Sequence, residues 1–249
     1  MACERALTHP LGEAFVHTAL PRAYVMNTLH VDIDADSDVD AEQLVAAADE
    51  VYAGFLHRRV FMERFEAGKR LAAAMRARRW LVERDVYMAL RRPRDRGPAP
   101  GLAREVDQAT LSVVEAATTR EEPYGRDEDV VRQIVAQREA LAAASPGTRF
   151  FVGALNGVDA ALTTLYTDGT VAQVEDVGTL REHRGRGLAR ATVSMAIDAA
   201  LDMGHKLVFI VADDADWPKE LYGRLGFDPI GRAWAFTRPG PEHPAYAAR

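Results

Sequence analysis

The stretch that decides the fold begins at Val174 and reads Val-Glu-Asp-Val-Gly-Thr-Leu-Arg-Glu-His-Arg-Gly-Arg-Gly-Leu-Ala-Arg, ending at Arg190. A strand pattern leads into a turn that carries two glycines, and a long helix with apolar periodicity follows. Glycines allow a tight turn whose backbone N–H groups point at an anion, and the helix dipole favours negative charge there. The stretch therefore predicts a loop that binds a pyrophosphate.

Two further patterns lie downstream of this loop. An apolar run predicts a buried strand over residues 206–212, and Trp217 opens the segment Trp-Pro-Lys-Glu-Leu-Tyr-Gly-Arg-Leu-Gly-Phe. A dinucleotide-binding turn is the nearest alternative, because strand, Gly185-x-Gly187, helix, strand and then Asp213 imitate that fingerprint. However, the third glycine position of that fingerprint holds Arg190. A solvated basic turn is the plainer alternative.

Composition limits the classes of protein to consider. The chain has 249 residues, 48% of them apolar, and a net charge of −6, which gives no indication of nucleic-acid binding. No apolar run reaches the roughly 18–20 residues of a membrane span. The single cysteine, Cys3, cannot build a disulfide framework, so we expect a cytoplasmic protein.

A proline-rich segment separates two halves. Residues 91–101 carry three prolines and two glycines among clustered charges, a composition that cannot form a core element. We interpret residues 93–101 as a solvated linker between a first unit, residues 1–92, and a second unit, residues 102–249. In the first unit, patterning predicts strands over 24–33, 58–62 and 81–90 and helices over 41–54 and 66–78.

The second unit has a longer run of elements. Helices are predicted over 108–119 and over 128–144, the latter with Asp127 as N-cap. Strands follow over 149–155, 158–167 and 170–180, joined by Asn-Gly and Asp-Gly hairpin turns. The remaining predictions are helix 188–203 with Gly204 as its stop, strand 206–212, helix 217–225, and strands 227–229 and 233–238.

The order β-α-α-β-β-β-α-β-α-β-β, the Arg-Gly-x-Gly-x-Ala loop and Leu-Tyr-x-x-Leu-Gly-Phe together resemble the GNAT superfamily of acetyl-CoA-dependent N-acetyltransferases. The resemblance covers residues 102–238 and implies an α/β (α+β) fold, a mixed sheet flanked by helices. The first unit is similar to a degenerate half of the same fold, so we expect two tandem units. The family often has an asparagine seven residues before its tyrosine, where this chain has Ala215.

The resemblance also implies site residues. The family's pyrophosphate motif, Gln/Arg-x-x-Gly-x-Gly/Ala, falls on Arg184, Gly187 and Ala189, and its pantetheine-lining strand falls on residues 177–179. We therefore expect acetyl-CoA as the acetyl donor. The expected contacts are Val177, Gly178, Thr179, Arg184, Gly185, Arg186, Gly187, Leu188, Ala189 and Arg190.

Two side chains are candidates for proton transfer. The resemblance places the family's tyrosine acid on Tyr222; a phenol is protonated at neutral pH and can donate to a leaving thiolate. The alternative is a packing residue beside its leucine neighbours. Because a protonated amine cannot attack a thioester, a base is also needed, and Glu175 is our candidate, with Glu182 as the second. Asp176 faces the opposite side of a regular strand.

The acidic loop at residues 32–40 contains five aspartates, which would repel a phosphate. We therefore expect no cofactor site in the first unit. The loop does not match a calcium-binding EF-hand, and a polar loop with a helix N-cap is the simpler interpretation. The histidines and the single cysteine show no metal-ligand spacing, so we predict no metal.

The function predicted from the sequence is acetyl transfer from acetyl-CoA to an amine by direct attack. The alternative is a non-catalytic acyl-CoA-binding regulatory module. The acceptor is a small-molecule or peptide amine, with no nucleic acid and no membrane as partner. The first unit could close over the acceptor or form a homodimer.

Overall fold

The computed structural model describes residues 3–241 and divides the chain into two compact units. The first unit comprises the chain up to Val86, residues Asp213–Ala215 and the chain from Gly231 onward. The second comprises Tyr87–Ala212 and Asp216–Ile230. The division therefore does not fall at the proline-rich segment. Separate roles for residues 1–92 and 102–249 remain a prediction.

The secondary structure consists of strands and helices that we number in chain order. The strands are β1 Arg5–His9, β2 Gly12–Val16, β3 Leu29–Val31, β4 Arg58–Met62, β5 Leu81–Leu90, β6 Ala103–Val106, β7 Arg149–Leu155, β8 Val158–Thr167, β9 Val171–Thr179, β10 Leu207–Asp213 and β11 Phe227–Arg238. The helices are α1 Ala41–Val51, α2 Phe65–Ala77, α3 Gln108–Arg120, α4 Glu128–Ala144, α5 Leu188–Asp202 and α6 Pro218–Arg224.

The first unit is a mixed sheet in the order β1-β2-β3-β4-β11. Only the β3–β4 pair is parallel. Helices α1 and α2 bury apolar faces against this sheet, with Leu44 and Met75 fully buried beside Trp234. The Trp234 indole Nε1–H donates to the Phe65 carbonyl at 3.0 Å, which fixes α2 on the strand. This apolar layer is the core of the first unit.

The first unit differs from its predicted elements at the N-terminal side. Strands β1 and β2 form a hairpin that was not predicted. The predicted strand over 24–33 is wrong in its first half, because Tyr24–Met26 is a short 3-10 helix and only Leu29–Val31 is a strand. Buried Asn27 explains this: its side chain accepts from the His17 N–H at 2.7 Å and donates to two loop carbonyls. Such local bonds compete with a strand ladder.

The second unit is a mixed sheet in the order β5-β10-β9-β8-β7-β6. Helices cover both of its faces. Leu162 of β8 packs with Leu111 of α3, whereas Ala161 packs with Leu188 of α5. Adjacent strand residues point to opposite faces, so α3 and α5 lie on opposite sides of the sheet. The predicted class, mixed sheets flanked by helices in two units, is confirmed.

Most predicted elements of the second unit are confirmed to within one or two residues. Helix α4 and strands β7 and β8 have the predicted bounds, and Asp127 caps α4 by accepting from the Asp129 N–H. Strand β6 corresponds to the first strand of the predicted order, for which no bounds were predicted. The two strands predicted over 227–229 and 233–238 form one strand, β11. Pro229 stays within β11, since proline is compatible with extended backbone.

The start of the proline-rich segment is held in the second unit by hydrogen bonds, and we call residues 91–96 the strap. The backbone N–H groups of Arg91 and Arg92 donate to the Gly226 carbonyl at 3.0 and 3.1 Å. The Arg92 guanidinium also pairs with Asp228 at 2.8 Å. Most residues of the segment are exposed, and its role over residues 93–101 as a linker between the two units remains a prediction.

Among the residues described, no helix has the length and apolar character needed to cross a membrane.

Candidate functional site

Strands β9 and β10 are paired along only part of their length. Their parallel register ends where Val174 lies opposite Ile210, whereas β9 continues to Thr179. On its other side, β9 remains paired with β8 as far as Thr179. The edge of residues 175–179 that faces away from β8 therefore has no paired strand in the described chain. It includes Val177 and Gly178, and an extended ligand can bind such an edge as an added strand.

The glycine loop follows directly from this edge. Gly185 and Gly187 have φ values of 74° and 83°, the left-handed region that glycine adopts without strain. Gly187 is the N-cap of α5. Across residues 3–241, the N–H groups from Gly185 to Gly187 have no hydrogen-bond partner. With the first N–H groups of α5, they form a concentration of free donors that suits a phosphate.

The arginines of the loop have different roles. The Arg184 Nε donates to the Thr179 carbonyl at 3.0 Å and so braces the loop against the end of β9. Arg186 is exposed to solvent. Arg190 is only 7% exposed and pairs with Asp95 of the strap at 2.6 Å. Its guanidinium therefore contacts the strap, and its backbone N–H belongs to the first turn of α5.

The remaining loop residues are in the first turn of α5. Leu188 is buried against the Ala160 and Ala161 methyl groups, which anchors the helix start in the core. Ala189 is partly exposed. Both residues have backbone N–H groups at the helix N-terminus, where such groups lack intrahelical partners.

Glu175 lies on β9 opposite Thr164 of β8, on the unpaired edge described above. Its Oε1 accepts a hydrogen bond from the Gln173 amide at 2.7 Å. Burial, followed by the negative charge of Asp176, raises the pKa of Glu175 to about 7. A carboxylate with that pKa can accept a proton near neutral pH.

Tyr222 lies on α6 and is 5% exposed. Its ring packs edge-on to Phe227 with centroids 6.4 Å apart. Burial raises the pKa of the Tyr222 hydroxyl, and the negative charges of Glu175 and Asp216 raise it further. The phenol is therefore protonated at neutral pH, and it is within electrostatic range of Glu175.

The second base candidate, Glu182, lies in a short 3-10 helix at the start of the loop, with a side chain 78% exposed. Its Oε1 lies 3.4 Å from Nε2 of His183. The Glu182 carboxylate is therefore well solvated, whereas Glu175 is only partly exposed.

The expectation for Asp176 is corrected by a β-bulge. Asp176 has a φ of 59°, and the β8–β9 register shifts at this point. Because the strand is irregular here, successive side chains do not simply alternate between the two faces of the sheet. The Tyr166 hydroxyl donates to Asp176 Oδ2 at 2.8 Å. Arg138 Nη1 lies 3.1 Å from Asp176 Oδ1.

Sequence reasoning missed Glu115, Arg138 and Tyr166, which form a connected group with Asp176. Glu115 of α3 is 1% exposed, and its Oε1 lies 2.5 Å from Arg138 Nε without the alignment of a hydrogen bond. A signal was present: Glu115 follows buried Leu111 by four residues, so it shares the apolar face of its helix. We call Glu115, Arg138, Tyr166 and Asp176 the clamp.

The acidic loop of the first unit is organised by capping and ion pairing. Asp40 caps α1 by accepting from the Glu42 and Gln43 N–H groups, which confirms the predicted N-cap. Arg64 pairs with Asp32 at 2.8 Å. Within residues 3–241, no group of three or more histidine, cysteine or acidic side chains is arranged to hold a metal ion.

Comparisons with known proteins agree with this architecture. Residues 113–227 match the Acetyltransferase (GNAT) family. A conserved protein of unknown function from Staphylococcus epidermidis superposes with a TM-score of 0.67 at 12% identity, covering 95% of this chain and 94% of its own. A GCN5-related N-acetyltransferase from Kribbella flavida gives 0.62 at 19% identity, covering 96% and 90%. Curated protein sequences gave no match.

Proposed function

Because the chain carries a GNAT-family acetyltransferase domain over residues 113–227, we propose that its second unit transfers an acetyl group from acetyl-CoA to an amine by direct attack. The family match confirms the predicted resemblance and supports acyl transfer in general. The donor, the mechanism and the catalytic residues belong to the proposal. The single observation that carries it is the unpaired edge of β9, which leads into a glycine loop with free N–H groups.

The donor-binding part of the proposal rests on backbone groups. The N–H groups of residues 185–190 would hold the pyrophosphate, because they lie at a helix N-terminus and lack other partners. The edge of Val177, Gly178 and Thr179 would hold the extended pantetheine arm. Ala215, where the family often has asparagine, offers no side-chain amide. Acetyl-CoA supplies the thioester carbonyl that the amine attacks.

Glu175 acts as the base in this proposal, directly or through a water molecule. It takes a proton from the acceptor ammonium, whose nitrogen then forms a bond to the acetyl carbon. A pKa of about 7 places Glu175 partly ionised at neutral pH. This value suits a group that must accept a proton and then release it to solvent.

Tyr222 acts as the acid. When the bond between the acetyl carbon and the sulfur breaks, the electron pair stays on sulfur, and the Tyr222 hydroxyl donates a proton to it. The raised pKa keeps this hydroxyl protonated until the step occurs. The attacking nitrogen then gives its surplus proton to the Tyr222 oxygen, which restores the acid and leaves the acetylated amine and free CoA as products.

The acceptor is a small-molecule or peptide amine, and the reaction takes place in the cytoplasm, an environment that suits a chain with one free cysteine. No metal takes part. The first unit contributes to acceptor binding or to a homodimer.

A screen of CoA release against polyamines, amino sugars, amino acids and peptides tests the function. Turnover by the wild-type protein, reduced in Tyr222→Phe and in Glu175→Gln, is the expected result. Tight binding of acetyl-CoA without amine-dependent CoA release across the panel would contradict catalysis. That result would favour the non-catalytic acyl-CoA-binding module.

A further inference from the structure

The bulge in β9 is a strained feature beside the proposed base. Thr164 lies opposite Glu175 and Leu162 lies opposite Gly178, so one residue of β8 faces two residues of β9. The first of those two is Asp176, whose φ is 59°. A non-glycine residue in the left-handed region costs about 1–2 kcal/mol, and it persists where its surroundings hold it.

Both carboxylate oxygens of Asp176 are held by other elements of the second unit. The Tyr166 hydroxyl of β8 donates to Oδ2 at 2.8 Å, and Arg138 of α4 approaches Oδ1 at 3.1 Å. The Asp176 side chain is 13% exposed, so this ion pair is largely removed from solvent. Such pairs are more costly to break than surface pairs, because a partly buried charge is left alone.

Arg138 connects the bulge to a second helix. Its Nε lies 2.5 Å from Oε1 of Glu115 on α3, and the Glu115 side chain is 2% exposed. The contacts therefore run from α3 through α4 to β9. Arg138 is the central residue of the clamp, since it faces both carboxylates.

We propose that the clamp is a positioning device for acetyl transfer: it holds the β9 bulge and thereby sets the location of the Glu175 carboxylate and of the free edge at residues 177–179. This inference rests on the proposed function of Glu175. In this account Asp176 and Arg138 touch no reacting atom. They act through Glu175.

The charges around Glu175 make the inference measurable. Asp176 is adjacent on β9 and raises the pKa of Glu175, whereas Arg138 on α4 lowers it. The Gln173 amide stabilises the charged form by donating to it. Tyr222 of α6 is neutral at neutral pH and is a further titratable group that interacts with Glu175.

Titration of Glu175 in the ligand-free protein tests the clamp directly. ¹³C-carboxyl NMR follows the midpoint, and the signal is assigned by its loss in Glu175→Gln. Asp176→Asn removes the charge but keeps a residue that tolerates a left-handed backbone, so the Glu175 midpoint should fall. Arg138→Gln should raise the Glu175 midpoint. Both shifts should be about 0.5 pH unit or more. Arg138→Lys keeps the charge and should restore much of the wild-type midpoint.

Acetyl-CoA binding provides a second readout. Asp176→Ala loses both the carboxylate and the tolerance for a left-handed backbone, so the edge should shift and the affinity should fall by at least about fivefold, close to 1 kcal/mol. Asp176→Asn should bind acetyl-CoA nearly as well as the wild type. If Arg138→Gln fails to fold, the Asp176→Asn and Asp176→Ala pair still decides the question.

Glu175 midpoints that are equal in the wild type and Asp176→Asn, together with unchanged acetyl-CoA affinity in Asp176→Ala, would overturn the positioning role. Failure of the proposed function looks different. In that case Glu175→Gln keeps full acetyl transfer while the Glu175 midpoint still responds to Asp176 and Arg138.

Discussion

Asp95 Oδ1 lies 2.6 Å from Nη1 of Arg190 and so joins the strap to the first turn of α5. The Asp95 N–H also donates to the Arg224 carbonyl at the end of α6, and the Arg92 guanidinium donates to the Gly223 carbonyl of the same helix. The strap therefore links the helix that begins at the glycine loop to the helix that carries Tyr222. The clustered charges of this segment hold two parts of the site in place.

The close approach of the strap to Gly226 explains why a glycine stands between Leu225 and Phe227. Gly226 has a φ of 102°, and a Cβ there would lie 2.0 Å from the Arg92 carbonyl oxygen. Gly226→Ala should therefore lower the free energy of unfolding by about 1–3 kcal/mol or more. Urea unfolding measures this change. Gly223→Ala is the matched control, because no heavy atom lies within 4 Å of its Cβ position. Equal stability of the two variants would refute the close approach of the strap.

The glycine loop can be tested by comparing the two ends of α5. Gly187 and Gly204 share a φ of 83°, and neither Cβ position is crowded by a near neighbour. Valine at either position should cost similar stability, since the penalty comes from the backbone. Only Gly187→Val should weaken acetyl-CoA binding, by at least about tenfold or about 1.4 kcal/mol. Scanning calorimetry measures the stability of the two variants, and titration calorimetry measures their affinity for acetyl-CoA. Similar affinities in the two variants would refute the pyrophosphate assignment.

Tyr222→Phe tests the acid. The variant keeps the ring and its edge-on contact with Phe227, so stability and acetyl-CoA affinity should be unchanged. Loss of the hydroxyl removes the proton donor, and kcat should fall by about tenfold or more. Steady-state turnover with an acceptor from the amine screen gives the answer. A wild-type kcat in a variant that binds acetyl-CoA would reduce Tyr222 to a packing residue.

The first unit contains a buried histidine whose titration affects stability. His57 is fully buried and stacks on Tyr24 with ring centroids 3.8 Å apart. Burial lowers the pKa of His57 from 6.5 to about 4. Between these pH values the unfolded chain binds a proton that the folded chain excludes. The stability present above pH 6.5 is therefore lost as the pH falls towards 4, by at most about 3 kcal/mol.

His57→Phe should flatten this pH dependence, because phenylalanine does not titrate. Unfolding free energies measured from pH 4 to pH 8 in the two proteins give the difference. The control is the range above pH 7, where the two curves should run parallel. A wild-type loss of stability between pH 6.5 and pH 4 that persists in His57→Phe would assign the effect to other groups.

The second unit was predictable because its signals are local. The Asn156-Gly157 and Asp168-Gly169 turns fix two hairpins, and apolar periodicity fixes α4 and α5. The two strands at the outer edges of the sheets were harder to predict. Strand β1 is largely exposed and β6 is short, so neither shows a clear alternation.

Within the site, backbone features were predictable and side-chain partners were not. The two glycines of the loop have the left-handed conformations that the motif requires. The bulge at Asp176 and the pairing of Arg190 with Asp95 depend on residues distant in sequence. A regular strand was assumed for Asp176, and no local pattern marks a register shift at a residue whose partner, Arg138, lies on helix α4.

A crystal structure of the protein with acetyl-CoA is the most direct test of the central claim. The account predicts one molecule per chain, with its pyrophosphate on the N–H groups of Gly185–Gly187 and its pantetheine arm along Val177–Thr179. The thioester sulfur should lie within hydrogen-bond reach of the Tyr222 hydroxyl. Acetyl-CoA bound at another location, such as the α1 N-terminus after the acidic loop, would contradict the account.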